Sequence, residues 1–358
     1  MSMIAPYGPT AARKRGRPGR ETRPRSTTID VHFHVAVPAA AAVVAPHLDT
    51  STIPLAFFST ADTKQVNAKQ EVDRASRITG RDQGLAERLH DLDDMGIDIQ
   101  VVMPPPPQCY YTVPLDIAVK ATRIVNEGIA EYVARRPDRF VGLGSVPMTD
   151  GNEAAAELER SMRSLGLKGA QVLTNVAGAE LSAPQYAPFW KKAEELGALI
   201  VIHPNGFTEG QRLTRYYFNN VIGNPFETTL ALHYLIFDGV LERHPNLKLL
   251  AVHGGGYLGA YSGRIDHAWG ARPDCKADLP HPPTHYLKKV FVDSVVFTPQ
   301  QLAALVETFG ADHVVMGTDY PFDMAESDPL GHLASVETLD SDTISAIGGN
   351  NARKLLGL

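Results

Sequence analysis

Histidine and aspartate side chains stand at the ends of several short apolar segments of this sequence. His32 and His34 end one segment, His203 and His253 end two others, and Asp319 follows a fourth. Imidazole nitrogens together with one carboxylate are ligands that suit Zn²⁺ or a similar divalent ion, with a position left open for water or substrate. A single histidine is more often structural than ligating, so the joint placement of the five residues carries the prediction of a metal site.

Eight short segments rich in β-branched residues must position these side chains. They cover residues 28–34, 98–103, 140–146, 169–174, 198–203, 247–253, 290–296 and 313–318. Several are continuous apolar runs, which is typical of parallel strands buried on both faces. Side chains two residues apart on a strand point the same way, so His32 and His34 share one face. The other candidate ligands stand at the carboxyl ends of their own strands.

Segments of helical periodicity separate these strands. They cover about residues 83–95, 115–135, 152–165, 185–196, 225–243, 299–309 and 340–355. Eight strand–helix repeats predict an α/β fold, a closed (β/α)8 TIM barrel, whose active sites lie at the carboxyl ends of the strands. No GxGxxG segment opens the first helix, which counts against an open dinucleotide-binding sheet.

Two long segments interrupt the repeat on the expected catalytic face. Residues 35–80 form an insertion after the first strand, and residues 204–223 form another after the fifth. Long loops on that face are expected to build the walls or lid of a pocket. We therefore predict one domain over residues 28–358, with the 35–80 insertion as part of the pocket.

Charge is distributed unevenly along the chain. The formal net charge is −6, but residues 1–27 carry seven basic groups against one acid, so the remainder carries −12. We predict that residues 1–27 form a disordered basic tail, because their composition offers little apolar surface to bury. The segment KRGRP at 14–18 resembles the basic core of minor-groove AT-hook peptides, so a DNA-associated protein stays an alternative. The bulk charge gives no reason to expect a nucleic-acid partner.

The composition also indicates the cellular compartment. Only two cysteines, Cys109 and Cys275, are present, which makes a disulfide framework unlikely and fits a reducing cytoplasm. No apolar run approaches the roughly 20 residues that cross a bilayer, and no secretory h-region is evident. The sequence therefore predicts a cytoplasmic protein without a membrane partner.

Five motifs resemble those of the amidohydrolase superfamily. DVHFH at 30–34 is similar to its opening motif, while VHGGG at 252–256 and GTDYPF at 317–322 are more specific. With RFVGLG at 139–144 and GNNARKLLGL at 349–358, they resemble the branch that contains the 2-amino-3-carboxymuconate-6-semialdehyde decarboxylases, from about residue 28 onward. The resemblance implies a barrel with one zinc-like ion, for which Mn²⁺ is an alternative to Zn²⁺.

The resemblance also implies roles for individual residues. It gives His32, His34, His203 and Asp319 as metal ligands, and His253 as the group that transfers protons, with Asp319 as a second catalytic group. It implies a homodimer in which Arg264 reaches the substrate carboxylate of the neighbouring subunit. A second arginine is expected after the first strand, where Arg74, Arg77 and Arg81 are candidates.

One position departs from the pattern of that branch. The branch has tryptophan after the His-Pro pair, whereas this chain has Asn205. A small polar side chain in place of a large aromatic wall predicts contact with substrate and widens the candidates to carboxylated phenols and dienoic acids. The function predicted is a metal-dependent, non-oxidative decarboxylase of a small carboxylated aromatic or muconate-semialdehyde-type acid.

Other reactions of the superfamily use the same ligands. A hydrolase of lactones or amides and a hydratase therefore remain alternatives. Many binuclear hydrolases carry a bridging lysine on the fourth strand, but in this chain that strand reads GAQVL at 169–173. The missing lysine favours one metal ion.

Overall fold

The computed structural model describes residues 23–78, 82–276 and 278–358. Its strands are β1 (Ile29–His34), β2 (Ile99–Met103), β3 (Phe140–Gly142), β4 (Gly144–Ser145), β5 (Gly169–Leu173), β6 (Asn175–Val176), β7 (Ala179–Glu180), β8 (Leu199–His203), β9 (Lys248–Ala251), β10 (Val290–Asp293) and β11 (Val314–Val315). All eight predicted strands are present. The third is divided at Leu143 into β3 and β4, and the short antiparallel pair β6–β7 was not predicted.

Parallel pairing joins the eight strand positions into a closed barrel. One sheet has the order β1-β2-β3 and the other has the order β11-β10-β9-β8-β5-β4. The divided third strand links them, because β3 pairs with β2 and β4 pairs with β5. The barrel closes between β1 and the end of β11, where the Val31 amide donates to the Met316 carbonyl at 3.0 Å and Phe33 forms a bridge with Tyr320. The predicted (β/α)8 barrel is confirmed.

Helices occupy the segments between the strands. They are α1 (Pro38–Val44), α2 (Pro54–Phe57), α3 (Ala61–Ile78), α4 (Asp82–Met95), α5 (Leu115–Arg135), α6 (Gly151–Leu165), α7 (Ala187–Leu196), α8 (Asn224–Phe237), α9 (Val240–Arg243), α10 (Ser262–Ala271), α11 (Pro273–Lys276), α12 (Pro283–Leu287), α13 (Pro299–Phe309), α14 (Pro329–Ala334), α15 (Ser341–Ser345) and α16 (Asn351–Leu356). Helices occupy all seven predicted segments, but residues 225–243 are divided into α8 and α9 and residues 340–355 into α15 and α16. The insertion after β1, expected as pocket wall, contains α1, α2 and α3.

The apolar core follows the alternation of the strands. On β8, Leu199 and Val201 share the face of His203 and belong to the smaller of two buried clusters. Ile200 and Ile202 face the other way and belong to the larger cluster, which includes the buried faces of the surrounding helices. This two-sided burial explains why the strand is a continuous apolar run.

Residues 23–27 lie against the barrel, while residues 1–22 of the predicted tail lie outside the described residues. Arg23 pairs with Asp98, and the Thr27 carbonyl packs so close to Gly349 that a Cβ there would lie 1.9 Å from it. Cys109 and Cys275 are both free thiols, as predicted. Among the described residues, no helix is long and apolar enough to cross a membrane.

Candidate metal centre and active site

Strand β1 delivers two histidines whose ring orientations are fixed by acceptors on Nδ1. His32 Nδ1 lies 2.7 Å from Oδ2 of Asp293 at the end of β10, and both side chains are fully buried. His34 Nδ1 lies 3.1 Å from the carbonyl oxygen of Pro104. Because a carbonyl only accepts and an ionised carboxylate does likewise, both Nδ1 atoms donate, and both Nε2 atoms carry a lone pair.

His203 repeats this arrangement at the end of β8. Its Nδ1 lies 2.7 Å from the carbonyl oxygen of Pro204, so its Nε2 also carries a lone pair. That Nε2 lies 3.1 Å from the Nε2 of His32. Two nitrogen lone pairs this close repel each other unless a proton or a metal cation lies between them, so the arrangement is suited to share a cation.

Asp319 completes the ring of ligand atoms from the segment after β11. Its Oδ1 lies 3.4 Å from both His32 Nε2 and His34 Nε2, and none of the described residues hydrogen-bonds to that oxygen. The Asp319 backbone has φ +60°, a left-handed conformation that is unusual outside glycine. Its amide donates to the His32 carbonyl at 2.9 Å, which ties the segment to β1.

These donor atoms fit a divalent ion. Two ligands about 2.1 Å from one ion, at angles near 90–110°, lie about 3.0–3.4 Å apart. The 3.1 Å between His32 Nε2 and His203 Nε2 and the 3.4 Å from Asp319 Oδ1 to the Nε2 atoms of His32 and His34 match that range. The unpartnered buried atoms His34 Nε2 and Asp319 Oδ1 are explained if both contact a cation. His32, His203, His253 and Asp319 offer ligand atoms within 4.8 Å of one another.

His253 differs from the other three histidines. It lies two residues beyond β9 in a tight turn, with φ +54°, and its Nε2 is 3.5 Å from Asp319 Oδ2. Its Nδ1 is buried with no hydrogen-bond partner among the described residues, so no acceptor fixes its tautomer. Its side chain is 17% exposed, whereas those of His32 and His34 are fully buried. His253 is thus the imidazole best able to exchange a proton with a bound molecule.

Burial and the neighbouring charges shift the pKa values of the four residues in different directions. Burial, reinforced by the neighbouring histidines, holds the pKa of His203 well below its usual value, and burial lowers that of His34. Burial also opposes charge on His32, but Asp319 and Asp293 outweigh it and raise its pKa. Burial opposes ionisation of Asp319 as well, yet the imidazoles around it hold its pKa well below the usual range.

Two buried carboxylates, those of Asp30 and Asp293, hold the segments that carry the candidate ligands. Sequence analysis assigned no role to either. Asp30 accepts from the His32 amide and the Thr318 amide, each at 3.0 Å, and from Gln100 at 2.9 Å. Burial raises the pKa of Asp30 to about 6. Asp293, which holds His32, was missed as well, although an aspartate ending the apolar strand VFVD was an available signal.

Two connected cavities open above the ring of ligands. The first, lobe A, has a volume of about 360 Å³ and is lined by Leu55 and Asn67 of the insertion together with Asn205 and Phe322. The second, lobe B, has about 450 Å³ and a mainly apolar wall from the region after β9 and from α13. His253, Asp319, Asn220, Asn224 and Met324 line both lobes.

Asparagine side chains supply polar groups to these walls. Asn205 lines both lobe A and an adjoining cavity of about 380 Å³ under the insertion. This position is compatible with the predicted contact between Asn205 and the substrate. Asn224 Oδ1 accepts from the Gly206 amide at 2.7 Å, which leaves its NH₂ group for the cavity. Sequence analysis missed Asn220 and Asn224, because an asparagine in or before the first turn of a helix carries no local signal that it lines a cavity.

The predicted substrate arginines are not brought into this chain's own cavities. Arg264 lies exposed on α10, and among the described residues neither lobe has an arginine or lysine in its lining. The side chains of Arg74 and Arg77, and the whole of Arg81, lie outside the described residues. A role for Arg264 therefore depends on a second copy of the chain.

Comparisons with known proteins agree with this architecture. Residues 29–358 match the model of the family described as amidohydrolase. The chain is 38% identical over 272 residues to a 2-amino-3-carboxymuconate-6-semialdehyde decarboxylase of Dictyostelium discoideum, covering 76% of each chain. It is 30% identical to a gamma-resorcylate decarboxylase of Rhizobium radiobacter, covering 76% of this chain and 86% of the relative.

A solved structure shows the same fold. It is that of a 5-carboxyvanillate decarboxylase from Novosphingobium aromaticivorans, complexed with manganese and 4-hydroxy-3-methoxy-5-nitrobenzoic acid. The superposition has a TM-score of 0.82 at 22% identity and covers 96% of this chain and 98% of the other. At that level of identity the likeness concerns the fold alone.

Proposed function

The chain belongs to the amidohydrolase family, and from that premise we propose that it is a metal-dependent, non-oxidative decarboxylase of a small carboxylated aromatic or muconate-semialdehyde-type acid. The observation that carries the proposal is the convergence of three Nε2 lone pairs and the Asp319 carboxylate below a cavity that also holds His253. The relatives from Dictyostelium and Rhizobium bear the names of a muconate-semialdehyde decarboxylase and a resorcylate decarboxylase, which supports both substrate classes.

We assign one divalent ion to His32, His34, His203 and Asp319. Zn²⁺ suits three imidazoles and one carboxylate, and the manganese in the 5-carboxyvanillate decarboxylase structure supports Mn²⁺ as an alternative. Strand β5 carries Gln171 rather than a lysine, which favours a single ion over a bridged pair. When bound, the cation would polarise the carboxylate and a neighbouring oxygen of the substrate.

The residues around the ligands then account for the bond changes. His253 donates a proton to the ring or diene carbon that bears the carboxylate, which turns the conjugated system into a sink for electrons. The bond to the carboxylate breaks, its electron pair returns to the conjugated system, and carbon dioxide leaves. His253 regains its proton from solvent. Asp319, with Oδ2 3.5 Å from His253 Nε2, stabilises the protonated imidazole and is the second group able to relay the proton.

Substrate binding is assigned to the asparagines of this chain and to an arginine of a second copy. Both lobes fall within the roughly 300–1,000 Å³ of small-molecule sites. Asn205 stands at the position where the branch carries tryptophan, and it lines lobe A. Arg264, exposed on α10, would clamp a substrate carboxylate of the neighbouring subunit in a bidentate pair.

A homodimer is supported by a group of exposed apolar side chains, of which Val221 and Tyr257 line lobe B. They come from the segment before α8, from α8 itself and from the segment after β9: Tyr216, Phe218, Val221, Ile222, Phe226, Tyr234, Tyr257 and Tyr261. Tyr216 is 68% and Tyr261 is 70% exposed. An apolar surface of this kind marks a protein interface, and it lies beside the helix that carries Arg264.

The proposal is tested by carbon dioxide release. Purified protein is reconstituted with Zn²⁺ or Mn²⁺ and given a panel of ortho-hydroxylated aromatic acids and carboxymuconate semialdehydes, with a chelated sample as control. Release that disappears with the chelator supports the proposal and ranks the substrates. Protein that binds metal but consumes water, or releases no carbon dioxide from any acid, would instead be a hydrolase or a hydratase.

A further inference from the structure

A buried arginine lies directly behind the ring of candidate ligands. Arg88 of α4 is fully buried, and its guanidinium carbon lies 4.0 Å from the centre of the Phe33 ring. Both terminal nitrogens approach the His34 carbonyl oxygen, at 3.4 and 3.5 Å. Burial lowers the pKa of Arg88 to about 10, so the group still carries its charge at neutral pH.

Arg88 contacts the seam that closes the barrel: besides Phe33 and the His34 carbonyl, its guanidinium carbon lies 5.7 Å from the centre of the Tyr320 ring. Phe33, between the two histidines of β1, stacks on Tyr320 with ring centres 5.3 Å apart. The His34 amide donates to the Tyr320 carbonyl at 3.1 Å, and Tyr320 directly follows Asp319. Asp91, one turn beyond Arg88 on α4, accepts a short hydrogen bond from the Tyr320 hydroxyl. The helix thus contacts both sides of the seam.

That seam fixes the separation between His34 Nε2 and Asp319 Oδ1. Asp319 holds a left-handed backbone conformation, which persists only where surrounding contacts enforce it. The His34 ring is held through its Nδ1, which donates to the Pro104 carbonyl at 3.1 Å. The position of both ligand atoms therefore depends on the backbone and on the Phe33–Tyr320 stack that Arg88 contacts.

We propose that Arg88 is a positioning residue for the metal centre, which clamps the Phe33–His34 backbone and the Tyr320 ring so that His34 and Asp319 converge on one cation. The inference rests on the proposed function only in requiring that a metal binds. Because the experiment measures metal affinity, it can show that Arg88 has no positioning role even if decarboxylation is observed. It can equally show that Arg88 has this role if the reaction proves to be hydrolysis.

Two other roles for Arg88 predict different results. If the side chain only fills space, a side chain of similar volume leaves metal affinity unchanged. If its charge acts only by repelling the nearby cation, removing that charge makes the metal bind more tightly. A positioning role predicts weaker metal binding, because the ligands lose their alignment.

The test compares Arg88→Met, which keeps the length without the charge, with Arg88→Lys, which keeps the charge without the planar fork. Apo protein is titrated with Co²⁺ against a competing chelator, and the visible absorption of bound Co²⁺ is recorded. We expect the Kd to rise about 10- to 100-fold in Arg88→Met, with partial rescue in Arg88→Lys. The absorption bands should also shift, since the ligand geometry changes.

Leu158→Ala is the control for loss of stability alone, because Leu158 is a buried core residue of α6. It should lower the thermal midpoint without changing the Kd. If Arg88→Met does not fold, Arg88→Lys decides the matter: it keeps the charge but loses the planar fork that spans the His34 carbonyl and the rings, and a several-fold rise in Kd is expected. A Kd within twofold of wild type in the folded variants, or a tighter one, overturns the proposal.

Discussion

The Nδ1 atom of His32 lies 2.7 Å from Oδ2 of Asp293, and neither side chain is reached by solvent. The aspartate also accepts from the Gly254 amide at 2.9 Å, next to His253. One carboxylate therefore orients a ligand histidine and anchors the turn that carries the proposed acid, so that the cation site and the proton donor share a support.

Replacing Asp293 by asparagine should weaken metal binding. The amide could still approach His32, but it no longer fixes the Nδ1-protonated tautomer that points the Nε2 lone pair inward. We expect metal affinity to fall about 10- to 100-fold, measured by chelator competition. Asp138→Asn, on the surface beside Arg136, is the matched control. Equal affinities in the two variants would mean that Asp293 has no role in orienting His32.

Mutation should distinguish the role of His203 as a metal ligand from that of His253 as a proton donor. His203→Ala should remove bound metal, because it deletes an Nε2 lone pair from the ring. His253→Ala should keep its metal while kcat falls about 100- to 10,000-fold, because the proton donor is lost. Metal content by elemental analysis and the rate of carbon dioxide release decide the matter. Loss of metal from His253→Ala would make His253 a ligand instead of an acid.

Asn205 should control the length of substrate that the site accepts. Asn205→Trp would fill the space between lobe A and the adjoining cavity, and should lower kcat/KM for long or branched acids at least about tenfold while simple benzoates are less affected. Asn205→Ala leaves the space open and removes the amide, so it measures the contribution of that amide to substrate binding. The same fractional loss for all acids in both variants would contradict a role in size selection.

Arg264 and His253 should complement each other between subunits. If Arg264 acts in the neighbouring subunit, mixing inactive Arg264→Ala and His253→Ala chains by unfolding and refolding produces dimers in which one site has both groups. We expect about a quarter of wild-type activity from a random mixture, because half of the dimers are mixed and each contains one complete site. Each variant refolded alone is the control. No recovery in confirmed mixed dimers would place Arg264 outside the neighbouring site.

Gly256 should tolerate no side chain. It has φ +66°, and a Cβ there would lie 2.1 Å from the Pro225 carbonyl oxygen in the wall of lobe B. Gly256→Ala should lower the free energy of unfolding by more than about 2 kcal/mol. Gly263→Ala, on α10 with open space around it, is the control and should change stability by about 1 kcal/mol or less, in the favourable direction. Denaturant titration measures both.

The barrel was predictable because its evidence is local and repeated. Apolar strands, helical stripes and the residues at strand ends each follow from short-range sequence, and one barrel rim brings His32, His203 and Asp319 together. Arg88 was not predictable in this way. Arginine on a helix is most often exposed, and only the packed structure shows that its guanidinium lies on the Phe33 ring. The positions of Asn220 and Asn224 at the cavity likewise depend on how the segment after β8 and the start of α8 pack over the rim.

The helices of the insertion after the first strand are a second feature that the sequence did not predict. Its apolar spacing did not indicate α1 to α3, because a short helix that packs on a barrel rim is stabilised by tertiary contacts more than by its own sequence. The carbonyl of Asn205 accepts from the Leu55 amide at 3.2 Å, so the insertion and the loop after β8 hold each other. A contact between segments so far apart in the chain produces no recognisable pattern in the sequence of either segment.

The candidate metal centre lies where the first strand, β1, meets the segment that follows the last strand, β11. Asp30 and Thr318, 288 positions apart in the chain, are joined beside His32, and Asp319 contributes to the ring from the far end. The ligand set is therefore incomplete in any nascent or truncated chain that lacks the last strand. If the ring binds the ion as we propose, a chain that lacks the last strand misses one of four ligands, so we expect it to hold the ion more weakly than the closed barrel does.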